Sequence, residues 1–181
     1  MVDLIAVTPA AGILPLSVGG VELTEVLTGT VTSLAPFQGQ AGAVAQALQA
    51  ALGVGFPGPN ESLTLGDVRV VWAGIGRAMV IGAPVPEALA AMAAVVDQSD
   101  SMAVVRVTGP GVEQVLARLV PIDLRLSVFA EGATARTMLG HMTVTLTRIA
   151  PEVIEVMAMR SMAATLVHEI AEAARGVAAR V

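Results

Sequence analysis

The chain of 181 residues contains no cysteine, no lysine and no tyrosine, and its aromatic residues are three phenylalanines and one tryptophan. The missing cysteine excludes disulfides, thiolate metal ligands and a cysteine nucleophile, and it fits a cytoplasmic protein. The missing lysine makes all ten basic residues arginine, a bias that reflects a GC-rich genome more than a function. These arginines are scattered singly. No basic stripe with interleaved aromatics tracks a phosphate backbone, so nucleic acid is not expected as a partner. Also missing is an unbroken apolar run of about 18 residues, the least that spans a bilayer. The best candidate, Val68 to Val96, is interrupted by Arg69, Arg77 and Glu87 and broken by Gly74, Gly76, Pro84 and Pro86. The start, Met1-Val2-Asp3, lacks the basic region of a secretory signal. No membrane span is expected.

What is present is apolar to an unusual degree: 55% of residues are hydrophobic, with a mean hydropathy of +0.76 and a formal net charge of −5. With the membrane set aside, such a composition predicts faces covered by other subunits. At this length a single domain over 1–181, built from two halves, is expected.

Residues 1–30 read as an N-terminal arm, because Pro9, Gly12, Pro15, Gly19 and Gly20 punctuate short apolar runs. The first half, about 31–96, begins with a short strand at Leu34-Ala35-Pro36-Phe37, which Pro36 places at a sheet edge. A helix over Gln40–Leu52 follows, with Val44, Leu48, Ala51 and Leu52 on one side and Gly53 as its stop. The run GFPGPN (55–60) is a loop. Alternation over Leu63–Gly82 predicts strands, with Val68, Val70 and Trp72 on one face and Arg69 and Val71 on the other. Pro86 opens a helix to about Val95, and Asp97-Gln98-Ser99-Asp100 is a polar break.

The second half, about 101–175, repeats this order. A strand over Met102–Val107 leads into a helix over Pro110–Leu119 with an apolar stripe of Val112, Val115, Leu116 and Leu119. A long strand is expected over Thr137–Ile149 and another over Val153–Met159. The last helix starts at Met162, capped by Ser161, turns Leu166, Ile170 and Ala173 inward, and ends at Gly176. Strand–helix–strand–strand–helix thus occurs twice at an offset of roughly 70 residues, too few copies for a solenoid. The fold class is α+β with a two-fold pseudo-repeat.

Chemistry-bearing motifs are scarce. Gly74-Ile75-Gly76 follows a strand, but a dinucleotide fingerprint needs a third glycine where Met79 stands, and strand-like residues come next. It reads as a hairpin turn. Gly109-Pro110-Gly111 opens a helix, but Pro110 removes one of the N–H groups an anion would use. His141 and His168 have no partner at metal-ligand spacing. Ser99, Ser101 and Ser161 lack a G-x-S-x-G context. Asp97, Asp100 and Asp123 stand in loops, where a carboxylate caps a turn or, alternatively, binds a ligand. No catalytic residue and no metal ligand is assigned.

The best-specified segment is Val104–Leu124, VVRVTGPGVEQVLARLVPIDL, a β-branched strand, a Gly-Pro pair, a helix and an apolar–Asp–Leu step. With Phe129, Gly132, Ala135-Arg136-Thr137, Leu139 and the stretch from Val156 to Arg160-Ser161, it resembles the gamma subunit of heterotetrameric sarcosine oxidase. The resemblance covers about 95–175. It implies two interlocked β–α half-repeats like the folate-binding domain of the glycine-cleavage aminomethyltransferase. It also implies a non-catalytic, cofactor-free subunit partnered by alpha, beta and delta subunits, with FAD, FMN, NAD and zinc carried by those other chains. That complex would demethylate sarcosine to glycine, releasing hydrogen peroxide and forming methylene-tetrahydrofolate. The alternative is a free-standing folate-binding one-carbon protein of the same fold, with Asp97, Asp100 or Asp123 as its ligand carboxylate.

Overall fold

The computed structural model describes residues 5–180, so Met1-Val2-Asp3 lies outside the described residues. Among the described residues, eleven strands form two antiparallel sheets. The six-stranded sheet has the order β1 (Leu16–Val18), β2 (Val21–Glu25), β8 (Met102–Thr108), β11 (Val153–Met159), β10 (Met142–Ala150) and β9 (Thr134–Leu139). The five-stranded sheet has the order β4 (Ser62–Leu65), β5 (Val68–Gly74), β6 (Arg77–Ile81), β3 (Val31–Pro36) and β7 (Ala93–Asp97).

Alternation within each strand divides the side chains between two faces and so sets the layers. On the five-stranded sheet, Leu34, Val70, Ala78 and Val80 pack under Val44 and Leu48 of α1 (Ala41–Leu52). On the six-stranded sheet, Val105, Val107, Val144, Leu146, Ile154 and Val156 pack under α2 (Val112–Leu116) and α3 (Ala163–Ala178). The remaining faces meet each other through Val31, Val71 and Ile81 on one side and Val104 and Met157 on the other. The result is four layers, helix–sheet–sheet–helix. At one corner the sheets nearly merge: Glu61 bridges to Ala133, and Ser62 N donates to Gly132 O at 2.8 Å.

Several elements depart from the sequence expectations. The segment 1–30, read as an arm, contains β1 and β2, and β2 pairs with β8 inside the six-stranded sheet. Glycine-rich punctuation marked the turn of this hairpin, not a lack of structure. Strand β3 is interior, not an edge. Pro36 is tolerated there because its missing N–H faces the β6 side, where pairing has already ended at Leu34. The helix expected from Pro86 to Val95 is a single 3-10 turn at Glu87–Ala91, and Ala93–Asp97 is β7, paired with β3. Thr137–Ile149 is a hairpin, not one strand: Gly140, at φ +54°, turns the chain between β9 and β10. Gly176 does not stop the last helix, which continues to Ala178, and Ser161 makes no capping bond to it.

Candidate functional site

The register of the six-stranded sheet lines up a polar row on the face turned toward the other sheet. Thr134 lies opposite Thr147, Thr147 opposite Glu155, Glu155 opposite Arg106, and Arg106 opposite Thr24. Directly opposed residues share a face, so the row crosses β9, β10, β11, β8 and β2. On the facing sheet, Arg69 stands opposite Thr64 and Ile81, with Ser62 and Val71 as the next cross-strand pair. Seven of the residues around this gap (Ser62, Thr64, Arg69, Ile81, Arg106, Thr147 and Glu155) line a cavity of about 740 Å³ between the sheets.

Glu155 is the pivot. Its side chain is 4% exposed and bonds two arginines from different sheets. Arg69 Nη2, on β5, lies 2.6 Å from Oε2, with its side chain 14% exposed. Arg106, on the neighbouring β8, donates Nε and Nη2 to Oε1 at 3.1 and 2.7 Å, and its side chain is 43% exposed. Two cations on one carboxylate leave this triad with one surplus positive charge, shared between the gap and the half-exposed Arg106. Asp67 and Glu131 line the same cavity from its solvent-exposed rim, where water screens them. The Thr134 hydroxyl donates to Leu146 O at 2.7 Å, so the 3.0 Å contact with Thr147 is donated by Thr147. Ser62, 8% exposed, has a buried Oγ with no hydrogen-bond partner among the described residues.

Arg148, next to Thr147 on β10, turns its side chain to the other, helix-covered face of the sheet. It is fully buried, and each of its nitrogens is used: Nε donates to Phe129 O, Nη1 to Pro151 O, and Nη2 to Leu124 O and, at 2.9 Å, to Glu113 Oε1. It therefore pins the irregular segment between α2 and β9 to the β10–β11 turn.

The carboxylates singled out from sequence stand elsewhere. Asp97 closes β7 and accepts from Ser99 N at 2.9 Å and Ser99 Oγ at 2.6 Å, bonds that hold its carboxyl below the usual range. Ser99 Oγ in turn accepts from Val31 N, tying this turn to β3. Asp100 is exposed in the same turn, beside a shallower recess that Arg160 also lines. Asp123 is exposed, and its bonds from the Arg125 side chain and backbone hold its carboxyl at about 2. Asp97 and Asp100 share a loop, Asp123 is in another, and none of the three lines the cavity between the sheets. His141 and His168 are both exposed. Among the described residues, no group of three or more His, Cys, Asp or Glu is clustered for a metal, and no helix is long and apolar enough to cross a membrane.

Sequence reading missed Arg106, Arg148 and Glu155. It placed Arg69 and Val71 correctly on the face away from Val68 and Val70, but gave the arginine no role. The available signal was a single charge in each otherwise apolar strand: Arg69 in VRVVWAG, Arg106 in MAVVRVT and Glu155 in VIEVMAM. A lone charge on the buried face of a strand requires a partner.

No family model and no curated protein matches the sequence. Among solved structures, the chain is similar to a chain of the heterotetrameric sarcosine oxidase from Corynebacterium sp. U-96, determined in complex with pyrrole 2-carboxylate. The identity is 25%, the TM-score 0.80, and the match covers 96% of each chain. A likeness to the regulatory subunit of aspartate kinase from Thermus thermophilus, ligand-free, has 14% identity and a TM-score of 0.40 over 86% of this chain and 97% of that one. At that score it bears on neither fold nor function. The resemblance read from Val104–Leu124 thus holds at the level of fold: over nearly its whole length, this chain is built like a chain of a heterotetrameric sarcosine oxidase.

Proposed function

We propose that this chain is the gamma, non-catalytic subunit of a cytoplasmic heterotetrameric complex of the sarcosine oxidase type. The observation that carries the proposal is the end-to-end match, 96% of both chains at a TM-score of 0.80, to one chain of such a heterotetramer. A match of whole chain to whole chain favours a subunit of the same kind over a shared module. The surface supports the same reading, because Leu27, Leu65, Ile75, Val128 and Met159 are large apolar side chains left exposed, as expected of a chain whose faces are covered by partners. In this proposal the alpha, beta and delta subunits carry FAD, FMN, NAD and zinc. The assembly demethylates sarcosine to glycine, with hydrogen peroxide and methylene-tetrahydrofolate as products. We take the two layered sheets as two interlocked half-repeats of the aminomethyltransferase folate-binding kind. The free-standing folate-binding alternative gains no support from the exposed placements of Asp97, Asp100 and Asp123.

Co-expression with the three other subunits tests the proposal. The tagged chain should recover all of them in equimolar amounts, with the absorbance of bound flavin and sarcosine-dependent peroxide release. A chain that elutes alone as a stable monomer, with no flavoprotein attached, refutes it.

A further inference from the structure

We infer that the cavity between the two sheets is a binding site for an organic monocarboxylate, held by Arg69, Arg106 and Ser62. Three independent features meet there. The first is charge. Arg69 and Arg106 share the single carboxylate of Glu155, so this set of three, with Arg69 and Glu155 deep in the gap and Arg106 half exposed at its mouth, carries one surplus positive charge, which a monoanion neutralises. Asp67 and Glu131, the other acidic groups on the cavity, lie on its exposed rim, and Arg148 is already committed to Glu113 and three carbonyls.

The second is donor geometry. Arg69 touches Glu155 through Nη2 alone and Arg106 through Nε and Nη2. Among the described residues, the other N–H groups of these two cavity-lining guanidiniums have no protein acceptor and remain for a second carboxylate, the anion such forks bind bidentately. The third is Ser62. The residue lines this cavity, and its Oγ, enclosed at the cavity's edge, has no hydrogen-bond partner among the described residues. A buried hydroxyl left without a partner is costly, and a carboxylate oxygen would accept its proton. Val26, Ile81 and Ile149 form apolar wall on the same cavity, which suits an acid with a short hydrocarbon body. A volume of about 740 Å³ falls within the usual size of small-molecule sites.

Glu155 fixes the orientation of both arginines and so acts as a positioning residue. The site requires nothing from a partner subunit, so it does not rest on the subunit reading.

The test is calorimetric titration of the full chain with hexanoate, and with hexanol as the uncharged control. Hexanoate should bind saturably with one site per chain, hexanol should not, and Arg106→Gln should weaken hexanoate binding at least tenfold. Arg106 is half exposed and its variant keeps the Arg69–Glu155 pair, so folding is not the limiting question. Circular dichroism checks this directly. Ser62→Ala, a smaller change, should weaken binding severalfold. No saturable hexanoate binding, equal binding of hexanol, or hexanoate binding unchanged in both variants overturns the inference.

Discussion

Arg148 shows how much of this fold depends on one side chain. Burying a guanidinium is tolerable only when its donors are matched, and here Phe129 O, Pro151 O, Leu124 O and Glu113 Oε1 match them. Arg148→Met fills the volume but leaves three carbonyls and a carboxylate without their donor. It should cost about 3–5 kcal/mol in urea unfolding. Arg148→Lys restores the charge from one nitrogen and should recover little, since an ammonium cannot reach acceptors on three sides. Full recovery by lysine would mean that charge alone matters. The Asp123–Arg125 pair is the opposite case, an exposed local contact. Its carboxyl is held at about 2 by the arginine's hydrogen bonds. Because the folded value is depressed, whatever stability the pair contributes is present above the ordinary carboxylate range and disappears as pH falls toward 2. An NMR titration of the Asp123 carboxyl should show this low midpoint, and Arg125→Gln should raise it part of the way toward 3.8, because the backbone N–H of residue 125 still donates to it.

At the scale of elements, the sequence was legible where packing and local preference agree. Helix α1, with Val44 and Leu48 buried and its end at Gly53, was read within one residue. Strands β5, β8 and β11 announced themselves by β-branched runs. It was illegible where pairing overrides composition. Ala93–Asp97 follows an alanine-rich turn and reads as helix, yet β3 offers it a free edge and Val95 and Val96 suit a strand. The β1–β2 hairpin was hidden for a related reason, because Gly19 and Gly20 read as breakage. Gly19 sits at φ +57°, and a Cβ there would lie 2.2 Å from Ala174 O on α3. The hairpin tip therefore packs directly on helix backbone. Gly19→Ala should cost about 3 kcal/mol or more, since strain and a backbone clash combine. Gly12→Ala, also at positive φ (+79°) but with nothing within 4 Å, should cost only about 1 kcal/mol. Equal losses in the two variants would show that docking on α3 contributes nothing.

For the whole molecule, the question is whether two sheets with separate helix-covered cores behave as one unit. The site could not be read from sequence because Arg69 and Glu155 are separated by nearly half of the chain, and only the layering of the sheets brings them together. The same layering couples the halves. Val31, Val71 and Ile81 share a core with Val104 and Met157, the Glu155 pair ties β5 to β11, and Glu61 bridges to Ala133. This shared interior predicts a single cooperative transition. Val71→Ala removes two methyl groups from the inter-sheet core, not from either helix-facing core, and should cost about 2 kcal/mol. Two probes differ in what they follow: the fluorescence of Trp72, the one tryptophan, reports on β5 alone, and the helical circular dichroism sums α1 on the same sheet with α2 and α3 on the other. In wild type and variant alike, the two should trace the same urea curve, with both midpoints lowered together by Val71→Ala. If Trp72 is lost before the helix signal, the sheets fold as independent layers. The polar row between them would then be a contact face between two modules, not the interior of one.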